Sequence, residues 1–341
     1  MVLKKKIRVL IVDDSLVFQK ALAIGLSADP GIEVVGLASD PYVARDKILE
    51  LEPDVLTLDI EMPKMDGIQF LKRLMPQYPL PVVVVSSVSE RVFDALNAGA
   101  VDVVSKQARS MEALIGELIV KIKIASTAKL GHWKNKSTVG GVAGKVSSGT
   151  DKNMIIAIGA STGGTEAIFN IVKQFPWDML GTLIVQHMPP GFTKMYAERL
   201  NNSCAMEVKE AVSGDRVVPG TVLVAPGDFQ MRLRKAGNDY SVQCFKGEKV
   251  NGHCPSVDVL FESVAQKAGA GAAGIILTGM GSDGARGLLS MRQHGAQTIG
   301  QDEESCVVYG MPKVAFEMGA VQKQASLHDI PRLLFSMLER K

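Results

Sequence analysis

Residues 158–164 read IGASTGG, an apolar run that ends in small and hydroxylated residues. This pattern is typical of a buried strand that turns directly into a helix. Two further segments have the same form, residues 185–188 (VQHM) and residues 277–283 (LTGMGSD). Because the carboxyl ends of neighbouring parallel strands converge on one crevice, the pattern predicts an α/β, doubly wound parallel sheet with one polar residue of each segment at a shared rim.

The polar residues at these three strand ends are Ser161, His187 and Asp283. A serine hydroxyl is a poor nucleophile until a base takes its proton, and a histidine needs a carboxylate to fix its tautomer. The three residues therefore predict a catalytic triad, and the C-terminal half of the chain is a candidate hydrolase.

Each of these residues also has a simpler interpretation. The glycine-rich segment resembles a phosphate-binding loop, although its glycine spacing differs from the dinucleotide fingerprint and Gln186-His187 stands where an acidic residue is expected. Ser161 and Asp283 are good helix N-caps, and a single histidine is commonly a buried, hydrogen-bonded residue. The shared placement at strand ends favours the triad over these alternatives.

The N-terminal half alternates strand-like and helix-like patterns. Apolar runs lie at residues 6–12, 33–37, 55–58, 82–85 and 101–105. Helical patterns lie at about residues 16–28, 41–51, 67–75, 89–98 and 111–125. The pattern predicts a second doubly wound sheet of five βα units, which places a set of polar residues at one rim: Asp13, Asp14, Asp59, Ser86 and Lys106.

Clustered carboxylates repel one another unless a hard divalent cation with oxygen ligands lies between them. The sequence therefore predicts a Mg²⁺ site at Asp13, Asp14 and Asp59. A carboxylate beside such a cation can attack a phosphoryl donor, and Lys106 can neutralise phosphate charge. No comparable cluster is present in the C-terminal half, so we expect that half to hydrolyse its substrate without a cofactor.

These motifs resemble those of a known signalling family. Residues 1–125 are similar to a two-component response-regulator receiver domain, through Asp13-Asp14, Asp59 with the following IEMPKMDG, Ser86 and Lys106. The resemblance implies that Asp59 is the phosphorylated residue. It also implies that Ser86 and Lys106 form the switch that responds to the phosphoryl group.

Residues 153–341 resemble the catalytic domain of the chemotaxis protein-glutamate methylesterases, the CheB family. The matching segments are those around the predicted triad, together with residues 253–261 (HCPSVDVLF) and 308–312 (VYGMP). The resemblance implies a Rossmann-like domain that hydrolyses glutamyl methyl esters and deamidates specific glutamines on methyl-accepting chemoreceptors. It implies oxyanion or substrate contacts at Thr162, Met280 and His253, and a chemotaxis histidine kinase as phosphodonor.

The chain departs from the family patterns at three positions. Receivers usually have proline after the lysine, often through a cis bond, whereas this chain has Gln107. A cis bond without proline costs ~3 kcal/mol, so we expect a different or strained loop there. Methylesterases often have arginine at the position of Cys254 and histidine at that of Gln230, which puts substrate contacts in doubt but not the triad.

Composition agrees with a two-domain enzyme. At 341 residues, with a net charge of +2 and 22% charged residues, the chain has no strong attraction for nucleic acid. Its four cysteines show no paired ligand spacing, which predicts reduced thiols. No apolar run reaches the ~20 residues of a membrane span. These features predict a cytoplasmic protein without membrane insertion. The resemblance implies that it acts at receptor arrays.

The sequence predicts a receiver at residues 1–125, a flexible Gly- and Ser-rich linker at 126–152 and a catalytic domain at 153–341. The expected regulation is that the unphosphorylated receiver covers the triad crevice and phosphorylation releases it. Two other classes stay open: a scaffolding module with a dead site, and a DNA-binding output domain. An intact triad and the absence of a basic recognition helix argue against them.

Overall fold

The structure, a computed structural model, describes residues 5–87, 91–108, 110–130 and 153–339. It divides into two compact units, Met1–Lys136 and Ser137–Lys341. The predicted domain boundaries stay a prediction, because residues 131–152 of the proposed linker lie outside the described residues.

The N-terminal unit is a regular alternation of strands and helices. Its strands are β1 (Ile7–Val12), β2 (Ile32–Ala38), β3 (Val55–Leu58), β4 (Val82–Ser86) and β5 (Asp102–Ser105). Its helices are α1 (Leu16–Ser27), α2 (Pro41–Leu51), α3 (Gly67–Gln77), α4 (Arg91–Ala98) and α5 (Met111–Ala125). The expected (βα)5 pattern is therefore confirmed within a few residues at each boundary.

The five strands form one parallel sheet in the order β2-β1-β3-β4-β5. Helices cover both faces of such a sheet, so its central strands read as continuous apolar runs. Residues 82–85 are four consecutive valines, and all are buried. The strand order changes direction at β1, which is where ligands bind in doubly wound sheets.

The C-terminal unit has a larger sheet and an added hairpin. Its strands are β6 (Ile155–Ala160), β7 (Gly181–Gln186), β8 (Glu207–Glu210), β9 (Thr221–Val224), β10 (Gln230–Ala236), β11 (Asp239–Phe245), β12 (Ala272–Ile276), β13 (Gln297–Gln301) and β14 (Lys323–Ala325). Its helices are α6 (Gly164–Val172), α7 (Phe192–Asn201), α8 (Val257–Ala268), α9 (Ala285–Gln293), α10 (Met311–Glu317) and α11 (Ile330–Leu338).

Seven of these strands form a parallel sheet in the order β14-β13-β12-β6-β7-β9-β8. The strand β6 lies between β7 and β12, so the chain passes to one side of β6 first and to the other side later. The carboxyl ends of these three central strands therefore open on a common crevice, as the sequence predicts.

The antiparallel hairpin β10–β11 is absent from the sequence prediction. One of its faces carries Met231, Leu233 and Val242, which belong to the same buried cluster as Phe261 and Val264 of α8. The hairpin thus packs on α8 and leads the chain through residues 246–256, which we call the 246–256 loop, back to the crevice.

None of the helices in the described part of the chain combines the length and hydropathy needed to cross a membrane.

Candidate active site

Ser161 lies directly after β6, at the start of a tight turn into α6. Its backbone N–H donates to the carbonyl of Thr278 at 3.0 Å, and its own carbonyl accepts from the N–H of Gly164 at 2.7 Å. Gly163 has a φ of +76°, and a Cβ there would lie 2.7 Å from Val307. Only glycine fits this position without strain, which explains the small residues after Ser161.

His187 follows β7 on the neighbouring strand. Ala160 pairs with Gln186 in the β6–β7 ladder, so Ser161 and His187 are the next residues on strands that lie about 5 Å apart. The Nε2 atom of His187 lies 2.9 Å from Oδ2 of Asp283. Its Nδ1 atom is buried and has no hydrogen-bond partner among the described residues. The carboxylate therefore places the ring proton on Nε2 and leaves Nδ1 as the basic nitrogen.

Asp283 is held by an unusually complete set of donors. Besides His187, it accepts from Asn251 Nδ2 at 2.8 Å, Ser256 Oγ at 2.7 Å and the N–H of Val257 at 2.7 Å. Burial by itself raises the pKa of Asp283, but the hydrogen bonds from His187, Asn251 and Ser256 outweigh it and hold that pKa well below its usual range. The carboxyl is thus an anion throughout the working pH range.

Two carboxylates tie α8 and α9 together at this site. Asp283, just before α9, accepts from the first N–H of α8, that of Val257, and more weakly from Asp258 N–H at 3.3 Å. Asp258 on α8 in turn accepts from the N–H of Gly287, in the first turn of α9, at 2.7 Å. The carboxylate of Asp283 therefore lies at the positive start of α8, and that of Asp258 lies at the positive start of α9. This reciprocal arrangement fixes Asp283 in place.

The imidazole of His253 stacks on that of His187. Their ring centroids are 3.6 Å apart and their planes differ by 8°. A flat ring at this distance restricts rotation of His187 about its side-chain bonds. His253, proposed from the sequence as a substrate contact, is therefore part of the immediate surroundings of the predicted base.

Met280 approaches the crevice from β12. A Cβ on Gly279 would lie 2.6 Å from Cβ of Ser161, so the backbone can pass this close only with glycine at that position. The carbonyl of Gly279 accepts from the N–H groups of Gly310 at 3.1 Å and Met311 at 2.8 Å. Because a trans peptide points its N–H opposite to its C=O, the N–H of Met280 is directed away from these donors.

The N-terminal unit gathers its predicted rim residues around one ammonium group. Lys106 Nζ lies 2.7 Å from Oδ2 of Asp13 and 2.5 Å from Oδ2 of Asp59. Asp13 and Asp59 are buried, whereas Asp14 is exposed. Burial, the leading effect, raises the pKa of Asp59 despite the hydrogen bond from Lys106. For Lys106, burial lowers the pKa, but the hydrogen bonds that its ammonium donates to Asp13 and Asp59 prevail and raise it.

One carboxylate oxygen from each of Asp13, Asp14 and Asp59 lies within 4.8 Å of the others. An all-oxygen, mostly anionic donor set of this size fits a hard divalent cation such as Mg²⁺. Ser86 is the last residue of β4, and Asp59 directly follows β3. Because β3 and β4 are paired parallel strands, the two residues lie at the same end of the sheet. The structure thus places every predicted rim residue at the carboxyl end of the sheet.

Gln107 does not adopt the strained conformation that the sequence left open. Within the described residues the cis peptide bond lies at Cys254–Pro255, and the Lys106–Gln107 bond is trans. The N–H of Gln107 donates to Ser105 Oγ at 3.1 Å, and its side-chain amide donates to the carbonyl of Ser87 at 3.3 Å. The loop is therefore supported by hydrogen bonds.

Two family profiles match the chain. One described as "CheB methylesterase" matches residues 156–334, and one described as "Response regulator receiver domain" matches residues 9–118. The chain belongs to the CheB methylesterase family. Its N-terminal part is a receiver domain, so the resemblance seen in the motifs is confirmed.

Curated relatives align with nearly the whole chain. The protein-glutamate methylesterase/protein-glutamine glutaminase 2 of Syntrophomonas wolfei is 60% identical over 340 residues, which cover 98% of this chain and 99% of that protein. The protein-glutamate methylesterase/protein-glutamine glutaminase of Syntrophotalea carbinolica is 56% identical over 352 aligned residues, which cover 99% of both chains.

A solved structure supports the fold of the catalytic domain. The crystal structure of the Thermotoga maritima CheB methylesterase catalytic domain is 37% identical and aligns with a TM-score of 0.53. The alignment covers 54% of this chain and 98% of that domain. The C-terminal unit therefore has the architecture of a CheB catalytic domain.

Sequence reasoning missed the residues of the 246–256 loop that hold Asp283. Asn251 has a φ of +52° beside Gly252, so the Asn-Gly pair does signal a turn. Nothing in that signal shows that Asn251 donates to Asp258 and Asp283, both at 2.8 Å. Ser256 reads as a helix cap but donates its hydroxyl to Asp283 instead.

The two departures from the methylesterase pattern have different surroundings. Gln230 is buried, and its amide donates to the carbonyl of Glu248 at 3.0 Å and accepts from Ser256 N–H at 2.9 Å. It therefore supports the 246–256 loop. Cys254 is half-buried in that loop, and burial raises the pKa of its thiol. At neutral pH this thiol is protonated and a weak nucleophile.

Proposed function

We propose that Ser161, His187 and Asp283 form the triad with which this CheB methylesterase cleaves glutamyl methyl esters. The proposal rests on the hydrogen bonding of the two ring nitrogens of His187. One ring nitrogen is bound to a buried anion, and the other is buried and unpaired among the described residues. A histidine in this state is oriented to accept a proton, and Ser161 is the hydroxyl on the adjoining strand.

In the first half-reaction, Nδ1 of His187 takes the proton of Ser161 Oγ while Oγ attacks the ester carbonyl carbon. Asp283, already ionised, stabilises the imidazolium that forms and does not itself take the proton. The imidazolium then protonates the departing methoxide, and methanol leaves. The glutamyl acyl group stays on Ser161.

In the second half-reaction, His187 takes a proton from water, which attacks the acyl-serine. The bond to Ser161 Oγ then breaks, the imidazolium returns its proton to Oγ, and glutamate is released. Backbone N–H groups of Thr162 and Met280 would hold the oxyanion in both steps. A donor of this kind contributes about 3–4 kcal/mol to transition-state binding in a comparable hydrolase. A glutamine side-chain amide would react in the same way and release ammonia in place of methanol.

We propose that the receiver takes a phosphoryl group on Asp59. Asp13, Asp14 and Asp59 would hold Mg²⁺, which supplies positive charge beside the phosphoryl oxygens when bound. Lys106 already lies against Asp59 and would neutralise a further oxygen. Ser86 would then donate to the phosphoryl group, and this change would alter the receiver's surface and relieve its restraint on the esterase.

The proposed partners follow from the two domains. A chemotaxis histidine kinase would supply the phosphoryl group, and methyl-accepting chemoreceptors would supply the methylated glutamates. The relatives named above are described as acting on protein glutamate and glutamine, which agrees with a protein substrate.

A single assay tests the catalytic half of this proposal. Methanol release from methylated receptor membranes is measured for His187→Gln and for the matched control His294→Gln. The control histidine lies at the end of α9, where its ring bonds only the carbonyl of Ser290 among the described residues. We expect His187→Gln to lose about 10⁴- to 10⁶-fold in turnover and the control to keep it.

The same assay with fragment 153–341 and a metal chelator separates the triad from a metal-assisted mechanism. We expect the chelator to leave methanol release unchanged, because the predicted metal ligands all belong to the receiver. Loss of activity in chelator would replace the triad by a metal-dependent hydrolysis, and full activity of His187→Gln would rule out His187 as the base.

A further inference from the structure

The carbonyl groups of the turn after Ser161 are held by side chains of the two neighbouring strands. The carbonyl of Ser161 accepts from the side-chain Nε2 of Gln186 at 2.9 Å, in addition to Gly164 N–H at 2.7 Å. The carbonyl of Thr162 accepts from Thr278 Oγ1 at 3.0 Å. Gln186 ends β7 and Thr278 follows β12, so the turn is held from both sides of β6.

A peptide unit is planar, and in the trans form its C=O and N–H point in opposite directions. Fixing the carbonyl of Ser161 therefore also fixes the N–H of Thr162. Gln186 is only 3% exposed, so it draws that carbonyl toward the protein interior. The N–H of Thr162 is consequently directed outward, toward the crevice in which the substrate carbonyl must lie.

Of the two polar atoms in the Gln186 side-chain amide, only the nitrogen has hydrogen-bond partners in the described part of the chain. Nε2 also reaches the carbonyl of His187 at 3.3 Å, whereas Oε1 is buried with no partner in the described part of the chain. The reverse orientation of the amide would set an oxygen against two carbonyl oxygens, so the neighbours determine the assignment. An unpaired buried oxygen lowers stability, and an apolar side chain of the same length would avoid that loss.

We propose that Gln186 is a positioning residue of the esterase reaction, which orients the Thr162 N–H as an oxyanion donor by holding the carbonyl of Ser161. This inference rests on the proposed role of Ser161 as nucleophile. It explains why an amide occupies a buried site in which one of its atoms is unpaired. The effect of Gln186 on the reaction would be confined to the transition state, since the ester oxygen becomes an anion only there.

The test is the kinetics of Gln186→Met in the full chain, with methylated receptor membranes as substrate. Methionine matches the length and volume of glutamine but has no N–H. We expect kcat to fall about 10- to 100-fold while KM stays within about twofold, because the lost contact acts only in the transition state. We expect the thermal unfolding midpoint to stay equal to that of the wild type or to rise. Gln186→Leu should behave in the same way.

The matched control is Thr182→Val, which removes a buried hydrogen bond to the Leu180 carbonyl at the other end of β7. It should lower the unfolding midpoint and leave kcat unchanged. Wild-type kcat in both Gln186 variants would overturn the inference. A loss of kcat that follows the unfolding midpoint equally in the Gln186 and Thr182 variants would overturn it as well. Ser161→Ala in the same assay separates the two proposals, because full turnover by that variant would remove the nucleophile itself.

Discussion

Asp59 of the receiver and Asp283 of the catalytic domain both lie at the carboxyl-end rim of a parallel sheet, but their carboxyl groups ionise differently. Asp59 directly follows β3, whereas Asp283 lies in the connection between β12 and α9, and the two residues are only 5% and 1% exposed. Burial prevails at Asp59 and raises its pKa, although Lys106 opposes the shift. At Asp283 burial is outweighed by hydrogen bonds, of which that from His187 is the largest, and its pKa is lowered.

The difference comes from the number of donors that surround each carboxylate. Asp59 accepts hydrogen bonds from the Lys106 ammonium, which also contacts Asp13, and from one backbone N–H, that of Glu61 at 3.2 Å. Asp283 receives donors from the start of α8 and from the 246–256 loop as well as from His187. A poorly stabilised carboxylate can attack phosphorus, whereas a fully hydrogen-bonded one serves as a fixed counter-charge. Buried carboxylates at the rims of two parallel sheets thus suit two chemistries, according to the donors around them.

The largest effect that this comparison predicts is on basal esterase activity. Asp283→Asn keeps the shape of the side chain but removes the charge that orients His187, so we expect turnover to fall about 10⁴-fold. Asp59→Asn removes the charge of the receiver carboxylate in this comparison and should leave basal turnover unchanged. Methanol release by the two unphosphorylated variants measures both. Equal losses of methanol release in the two variants would contradict the different roles assigned to the two carboxylates.

A smaller effect is expected on stimulation by a phosphodonor. Asp59→Asn removes the attacking carboxylate, so a small-molecule phosphodonor with Mg²⁺ should no longer raise methanol release. Fragment 153–341 should show a higher basal rate than the full chain, by about 5- to 100-fold, because the proposed restraint, of about 1–3 kcal/mol, would be lost. Equal basal rates in fragment and full chain would instead indicate that the phosphorylated receiver activates the esterase directly.

The smallest effect is on the pH dependence of the free energy of unfolding. This dependence has opposite signs for the two carboxylates. The lowered pKa of Asp283 contributes stability that is present above about pH 4 and is lost as pH falls toward the folded-state value. The raised pKa of Asp59 means that the folded receiver binds more protons, so its stability falls as pH rises from about 4 through the folded-state value.

Unfolding followed from pH 3 to 8 checks these signs. At neutral pH, Asp283→Asn should lower the free energy of unfolding by about 1.5–3 kcal/mol, because hydrogen bonds to a charged group are lost. Asp59→Asn should raise it, and the gain should vanish at acid pH. Destabilisation by both substitutions at pH 7 would contradict the pKa directions assigned to these carboxylates.

The sequence predicts the positions of both sites because strand ends are readable from local patterns. Apolar runs that stop at Asp13, Asp59, Ser161 and His187 define the rims without any knowledge of packing. Neither the hairpin β10–β11 nor the path of the 246–256 loop could be predicted in this way. Their places depend on contacts with α8, which follows them in the chain.

The finer chemistry of the site also depends on long-range contacts. Asn251 is 32 residues from Asp283 in sequence, and Gln186 is 25 residues from Ser161. No local signal shows that their amides reach a carboxylate and a carbonyl. The choice of Nε2 for the carboxylate, which leaves Nδ1 of His187 as the proposed base, likewise follows only from the folded geometry.

The most direct test of the account is the identity of the residue that forms a covalent bond during catalysis. The full chain is treated with a serine-directed phosphonate, and modification, mapped by mass spectrometry, is compared with residual methanol release. The account predicts one adduct, on Ser161, that accumulates in step with the loss of activity and is greatly slowed in His187→Gln. Full inactivation with the adduct elsewhere, or full activity with Ser161 modified, would contradict the triad.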